Sequence, residues 1–244
     1  KELIPEVQDA IGSRYLSGSV ILSDSKNTKE KQDELKRLIF ERLNTGGITL
    51  TKQEIRNAVN TSKMNTMIND FADNNDTFNN LWHSKEDSKN RMGNREMILR
   101  FFAYKDLSYN SNTSIGTSQA LDYYSAKSVY FDESKVKNLK LYIENTLDLV
   151  KKLFGEQAFN KNNGTKSEKM IFDTVMLACS MCIDKEVCLN GDMDIENNIQ
   201  LKNDFLESNR ELFNGKYTSF SKVLERQEAF YNFLNSEIIN GTSN

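Results

Sequence analysis

Residues 136–155 read VKNLKLYIENTLDLVKKLFG, and this stretch decides the fold class. Val136, Leu139, Ile143, Leu147, Val150 and Phe154 recur at the spacing of one helix face. A stripe of period about 3.6 kept up for roughly five turns predicts an amphipathic helix laid on a core. Gly155 follows where a helix ends.

The same pattern recurs on both sides. Met64, Met67, Ile68 and Phe71 form one stripe, Phe78, Leu81 and Trp82 a second, and Met97, Ile98, Phe101 and Phe102 a third. Further helices are predicted around Gln119–Ala126, from a Thr165/Glu168 cap to about Ile183, and along Val223, Phe230, Leu234 and Ile238. A single proline, Pro5, and 11 glycines supply too little turn punctuation for an all-β sandwich or barrel. Asparagine occurs 29 times, and its clusters at Asn74, Asn75, Asn79, Asn80 and at Asn160, Asn162, Asn163 read as loops. No repeat is present, so a bundle of eight to ten helices is expected rather than a solenoid.

Composition narrows the classes of function. The 244 residues carry 32 Lys+Arg against 35 Asp+Glu, a formal net charge of −3, which gives no overall basic footprint for nucleic acid. A chain of this size buries roughly 70% of its unfolded surface and needs no disulfide. The three cysteines, Cys179, Cys182 and Cys188, are an odd number beside an apolar stretch, pointing to free thiols in a reducing compartment. The longest apolar runs are a few residues, so neither a membrane span nor a secretory signal is expected, and the protein reads as cytoplasmic.

Chemistry-bearing motifs are few. His83 is the only histidine and lies at the end of a short helix, where imidazole meets terminal carbonyls more often than it catalyses. Cys179 and Cys182 have CxxC spacing without the further ligands zinc needs, and read as buried thiols. Around Gly191, the calcium-loop positions hold Glu186, Cys188 and Asn190, with Asn197 at the closing one, where an EF-hand needs carboxylates. No catalytic residue and no metal ligand is assigned.

The N-terminal part is organised differently. A Pro5-started helical turn carries Val7 and Ile11, and Val20–Leu22 is expected to form a lone strand that must pair with something. Asn27 and Glu30 have capping-box spacing before a helix with Leu35, Leu38, Ile39 and Leu43; it ends at Asn44-Thr45-Gly46-Gly47. Thr51 and Glu54 then form a second box, opening a helix with Ile55, Ala58 and Val59 on one face. Between the two helices, Gly46 and Gly47 allow close backbone approach to a ligand, and Asn44, Arg42 and Arg56 offer donors to phosphate oxygens. The competing reading is structural. One glycine ends the first helix in the left-handed region, and Thr51 with Glu54 occupies the free N–H groups of the next.

Phe40–Asn57, with Glu41-Arg42-Leu43-Asn44, Gly46-Gly47 and Gln53-Glu54-Ile55-Arg56-Asn57, resembles the N-terminal domain of the GmrSD-type restriction endonucleases, within the ParB/sulfiredoxin-like superfamily. Arg91-Met92, Glu96 and Leu99–Tyr104 are similar to the family as well, with weaker likeness at Ile4–Ile21, Phe154–Phe159 and Thr218–Arg226. The resemblance implies a nucleotide or phosphodiester pocket framed by Asn44, Gly46, Gly47 and Arg56, supported by Arg42, Glu54 and Asn57. In ParB-like domains an Asn stands six residues before a Leu and a Glu four after it, the spacing kept here by Asn44, Leu50 and Glu54. Two departures matter. The family's catalytic Glu is replaced by Leu43, and the Asp-Gly-Gln-Gln-Arg motif is absent.

The expectation is therefore a mainly α helical bundle with a small β remnant of a ParB-like α/β domain. Residues 1–60 are that remnant and 61–244 the helical domain. Functionally, the resemblance implies a truncated GmrSD-like nuclease or NTPase component of a prokaryotic anti-phage system, inactive alone, with NTP and Mg handled by the intact protein. A partner nuclease subunit or the missing N-terminal part would complete it. The alternative is a non-enzymatic helical module that docks a partner subunit or modified DNA, the latter through Arg91, Arg95 and Arg100. A complete enzyme of another kind, built from the many acids, is a third class.

Overall fold

The computed structural model describes residues 4–13, 28, 31–32, 35–36, 38–39, 42, 50–83, 92–108, 115–161, 164, 167–187, 193–214 and 219–239. These residues are mainly helical, as the periodicity predicts, and they contain no sheet. The bounded helices are α1 (Pro5–Gly12), α2 (Lys52–Val59), α3 (Lys63–Asn74), α4 (Asp76–Leu81), α5 (Gly93–Ser108), α6 (Thr117–Ser128), α7 (Glu133–Phe154), α8 (Lys169–Asp184), α9 (Ile195–Ser208) and α10 (Phe220–Phe233). Every described residue between 31 and 42 is helical too. The extended pairings among the described residues are single bridges, Gly116 with Ser219 and Asn160 with Ser167. The expected strand at Val20–Leu22 lies outside the described residues.

Helix starts follow from side-chain chemistry. Thr51, Ser62, Asn75, Asp132 and Asp194 each accept a hydrogen bond from the backbone N–H three residues on, at 2.7–3.2 Å. Asn75 serves two helices, because its own N–H also closes the end of α3 on the Phe71 carbonyl at 3.0 Å. At the far end of α7, Gly155 has φ +53° and ψ −148°, a region open to glycine and closed to side chains.

The core is organised around α8. Ile171 to Ser180 are buried without interruption, so this helix is enclosed on every side. It packs against α5, α7 and α10, while α6 covers α5 and α9 covers α7. The three stripes between residues 64 and 102 turn inward: Met64, Met67, Ile68, Phe71, Phe78, Leu81, Trp82, Met97, Ile98, Phe101 and Phe102 are buried. Of the face expected on α2 only Ile55 is buried; Ala58 is exposed, as is Leu38 before it. Phe172 of α8 gathers Phe78, Trp82 and Phe159 at ring distances of 6.3, 5.3 and 4.7 Å, tying α4 and the turn after α7 to the centre. Edge-to-face and tilted arrangements of this kind add to the area they bury.

One helix has no sequence forecast. On α9 the buried face is Asn198, Lys202, Asn203 and Leu206, too polar to register as an apolar period. Lys202 explains it. Its ammonium donates to the carbonyls of Gln157, Ala158 and Asn160, closing the turn that follows α7. Nearby, Asn198 Nδ2 donates to the Leu153 carbonyl at 3.1 Å. The free carbonyls at the end of α7 thus take their donors from α9.

Burial pushes the Lys202 amine down from its ordinary range to about 8. Its folded value then lies below its unfolded one, so between about pH 8 and 10 the unfolded chain binds the extra proton and stability rises with pH. Urea unfolding at pH 7.5 and 9.5 should show that rise in the native chain and not in Lys202→Met. The substitution should also cost about 1–3 kcal/mol at pH 7.5, because carbonyls lose their donor.

Candidate functional site

Asn44, Gly46, Gly47 and Arg91 lie outside the described residues. The sequence unit is visible from Leu50 onward, where the second capping box forms as its spacing predicts. Thr51 Oγ1 accepts from the Glu54 N–H at 3.2 Å, and Glu54 Oε2 accepts from the Thr51 N–H at 2.7 Å. Two N–H groups at the start of α2 are therefore already satisfied by the chain itself.

Arg56, expected beside a phosphate, is 4% exposed and engaged by protein. Its Nε donates to Asp122 Oδ1 at 2.7 Å, Nη1 to Gln53 Oε1 at 3.4 Å, and Nη2 to the Ser118 hydroxyl and carbonyl at 3.1 and 3.4 Å. Lys52 Nζ adds a bond to Ser118 Oγ at 3.1 Å. The guanidinium thus clamps α2 to α6, and no fork is turned to solvent. Arg42 is exposed.

Asn57 looks the other way, into α3. Its Oδ1 accepts from Asn69 Nδ2 at 2.9 Å, and its carbonyl accepts from Asn65 Nδ2 at 3.2 Å. Asn69 Oδ1 in turn accepts from Arg95 Nε at 3.0 Å, and Arg95 Nη2 reaches both oxygens of Asp73 at 2.7 and 2.8 Å. A continuous chain of hydrogen bonds therefore joins Asn57 to Arg95, two residues that lie far apart in sequence. Neither could be paired with the other from spacing.

Arg100, expected with Arg95 on a DNA-binding surface, is committed to the interior. It makes a two-pronged pair with Asp173 of α8, its Nε lying 3.0 Å from Oδ1 and its Nη2 against Oδ2. Asp173 is 1% exposed. Glu96, one turn earlier on α5, is more distant, at 3.9 Å, and also meets Lys169 at 3.2 Å. Burial disfavours the Arg100 cation, and the charge and hydrogen bonds of Asp173 outweigh that, holding it firmly protonated. The guanidinium also lies 5.2 Å from the centre of the Tyr104 ring, whose hydroxyl shares a 2.8 Å hydrogen bond with Thr117 Oγ1.

A third polar group, absent from the sequence reading, joins α5, α7 and α8. Lys105 Nζ pairs with Asp184 Oδ2, and Tyr142 donates its hydroxyl to Asp184 Oδ1 at 2.7 Å and lies 3.1 Å from the Ser180 carbonyl. The lysine also sits 5.5 Å from the centre of the Tyr142 ring.

Cys179 and Cys182 are free and buried, as expected for packing thiols, and burial raises both above their ordinary value, Cys182 to about 11. His83 is exposed just beyond Trp82, the last residue of the α4 turn. Among the described residues, no three His, Cys, Asp or Glu side chains converge to hold a metal ion, and no helix is long and apolar enough to cross a membrane. Against known proteins, no family model, curated protein or solved structure matches this chain.

Burial separates the arginines energetically. Arg100→Met strands the Asp173 carboxylate in the core and should destabilise the chain by about 3–5 kcal/mol. Arg95→Ala, whose partner Asp73 is 55% exposed, should change stability by about 0–1 kcal/mol. Urea unfolding of the two variants checks this order, and equal effects would contradict it.

Proposed function

We propose that this chain is the helical part of a GmrSD-like, ParB-fold nuclease or NTPase component of a prokaryotic anti-phage system, and that it is catalytically silent by itself. The observation carrying this reading is the Phe40–Asn57 motif, together with the way its second helix is held. Arg56 and Asn57, adjacent on α2, fasten it to α6 and α3. A helix anchored on two sides is a rigid element of the bundle. In this reading Asn44 and the diglycine backbone contact phosphate, while Arg56 positions the helix and touches no ligand.

Silence follows from what the sequence lacks. Leu43 stands where a catalytic carboxylate is needed, and no Asp-Gly-Gln-Gln-Arg segment occurs. Nucleotide and Mg handling then belong to an intact assembly.

A second reading, a non-enzymatic module docking a partner subunit, is favoured by the exposed Ile4 and Val7 at the start of the chain and on α1. Its DNA-binding version gains nothing from Arg95 and Arg100, whose charges are answered by Asp73 and Asp173.

The purified 244-residue chain with magnesium and each nucleoside triphosphate should release no phosphate above background. Robust hydrolysis that persists in Asn44→Ala would place the chemistry elsewhere and overturn the proposal.

A further inference from the structure

Between α5, α6 and α7 lies a pocket of about 220 Å³, walled by Phe102, Tyr124, Phe131, Leu139 and Tyr142. Its far side is the Lys105–Asp184 pair, and the same pair borders a second pocket of about 440 Å³ against α10. Both lie away from α2.

Charge decides what kind of ring. The smaller chamber is bordered by Lys105 and Lys135 and by Asp106 and Asp184, so its rim is neutral. Each cation is also occupied. Lys105 pairs with Asp184, and the Lys135 ammonium sits 3.9 Å over the Phe131 ring. Asp106 is held by Lys127 at 2.7 and 2.8 Å. An anionic ligand would have to draw Lys105 from Asp184. A cationic one would compete with Lys135 and Lys105 for the ring faces of Phe131 and Tyr142, which they already cover. Uncharged aromatic surface meets neither obstacle.

One polar atom in this chamber calls for a partner. Tyr124 is 3% exposed, stacked on Phe102 at 6.3 Å and edge-on to Phe131 at 5.9 Å, yet its hydroxyl makes no hydrogen bond among the described residues. Burial, reinforced by Asp106, pushes that hydroxyl well above its ordinary value. It therefore stays protonated at neutral pH, a donor that no protein acceptor engages among the described residues, on a wall of the chamber. In the adjoining chamber the Gln227 Oε1 is buried without a hydrogen-bond partner among the described residues.

We propose that the chamber bounded by Phe102, Tyr124, Phe131, Leu139 and Tyr142 binds a small, uncharged heteroaromatic ring that presents an acceptor atom to the Tyr124 hydroxyl. The ring packs on the aromatic walls, and its acceptor takes the Tyr124 hydroxyl in place of solvent. This inference stands independently of the nuclease or NTPase reading, because it uses none of its residues.

The experiment is a methyl-labelled NMR titration of the full chain at pH 8 with benzimidazole, indole, 2-naphthoate and benzamidine. Benzimidazole carries an acceptor nitrogen and is neutral there; indole has the same shape without the acceptor. Benzimidazole should shift the Leu139 methyls with a dissociation constant on the order of 1 mM, several-fold tighter than indole. Tyr124→Phe should erase that preference while still binding the ring. Leu139→Trp, which fills the chamber, should abolish binding with the melting curve retained. Absence of Leu139 shifts, an unchanged preference in Tyr124→Phe, or tighter binding of naphthoate or benzamidine would each overturn the proposal.

Discussion

Asp173 is a carboxylate inside the most thoroughly buried of the described helices, and Arg100 is its answer. The pair dictates how α5 must sit on α8. Any other rotation of α5 leaves an unpaired charge in the core, a penalty of several kcal/mol, whereas shifting apolar side chains past one another costs far less. Such a pair adds little net stability over well-packed hydrocarbon, and its effect is to penalise alternatives. Once α5 is fixed, α6 is set by the stacking of Phe102 on Tyr124, and α7 by that of Phe101 on Tyr142.

The same use of charge recurs outward from the centre. Arg56 locks α2 to α6, Lys202 locks α9 to the end of α7, and Lys105 with Tyr142 locks the end of α8 between α5 and α7. These cations are consumed within the fold, so they contribute no basic surface. Between its described helices such a bundle leaves a neutral, aromatic-lined cleft, the chamber at Tyr124.

Much of the architecture was legible in the sequence. The stripes at Met64–Phe71, Phe78–Trp82 and Met97–Phe102 bury the residues their period picks out, and so does the long run to Gly155 except at the half-buried Leu139. Hydrocarbon burial is nonspecific, so periodicity suffices to read it. Helix α9 was not legible, because Asn198, Lys202 and Asn203 face inward to serve carbonyls that belong to other parts of the chain. The site was read still less completely. Arg56, Arg95 and Arg100 look in sequence like donors available to a phosphate, and only the distant acids Asp122, Asp73 and Asp173 reveal them as spoken for. Long-range pairing has no local trace. The one hint available was Asp173 itself, a lone acid within the apolar run from Ile171 to Ala178.

The central claim is that α8, anchored by Asp173, is the element on which the bundle is assembled. Native-state hydrogen exchange tests it directly. The amides of Phe172 to Cys179 should exchange only through global unfolding, with the highest opening free energy in the chain and the same denaturant dependence as unfolding itself. Exchange of these amides through local openings, at lower free energy than those of α5 and α7, would contradict the account.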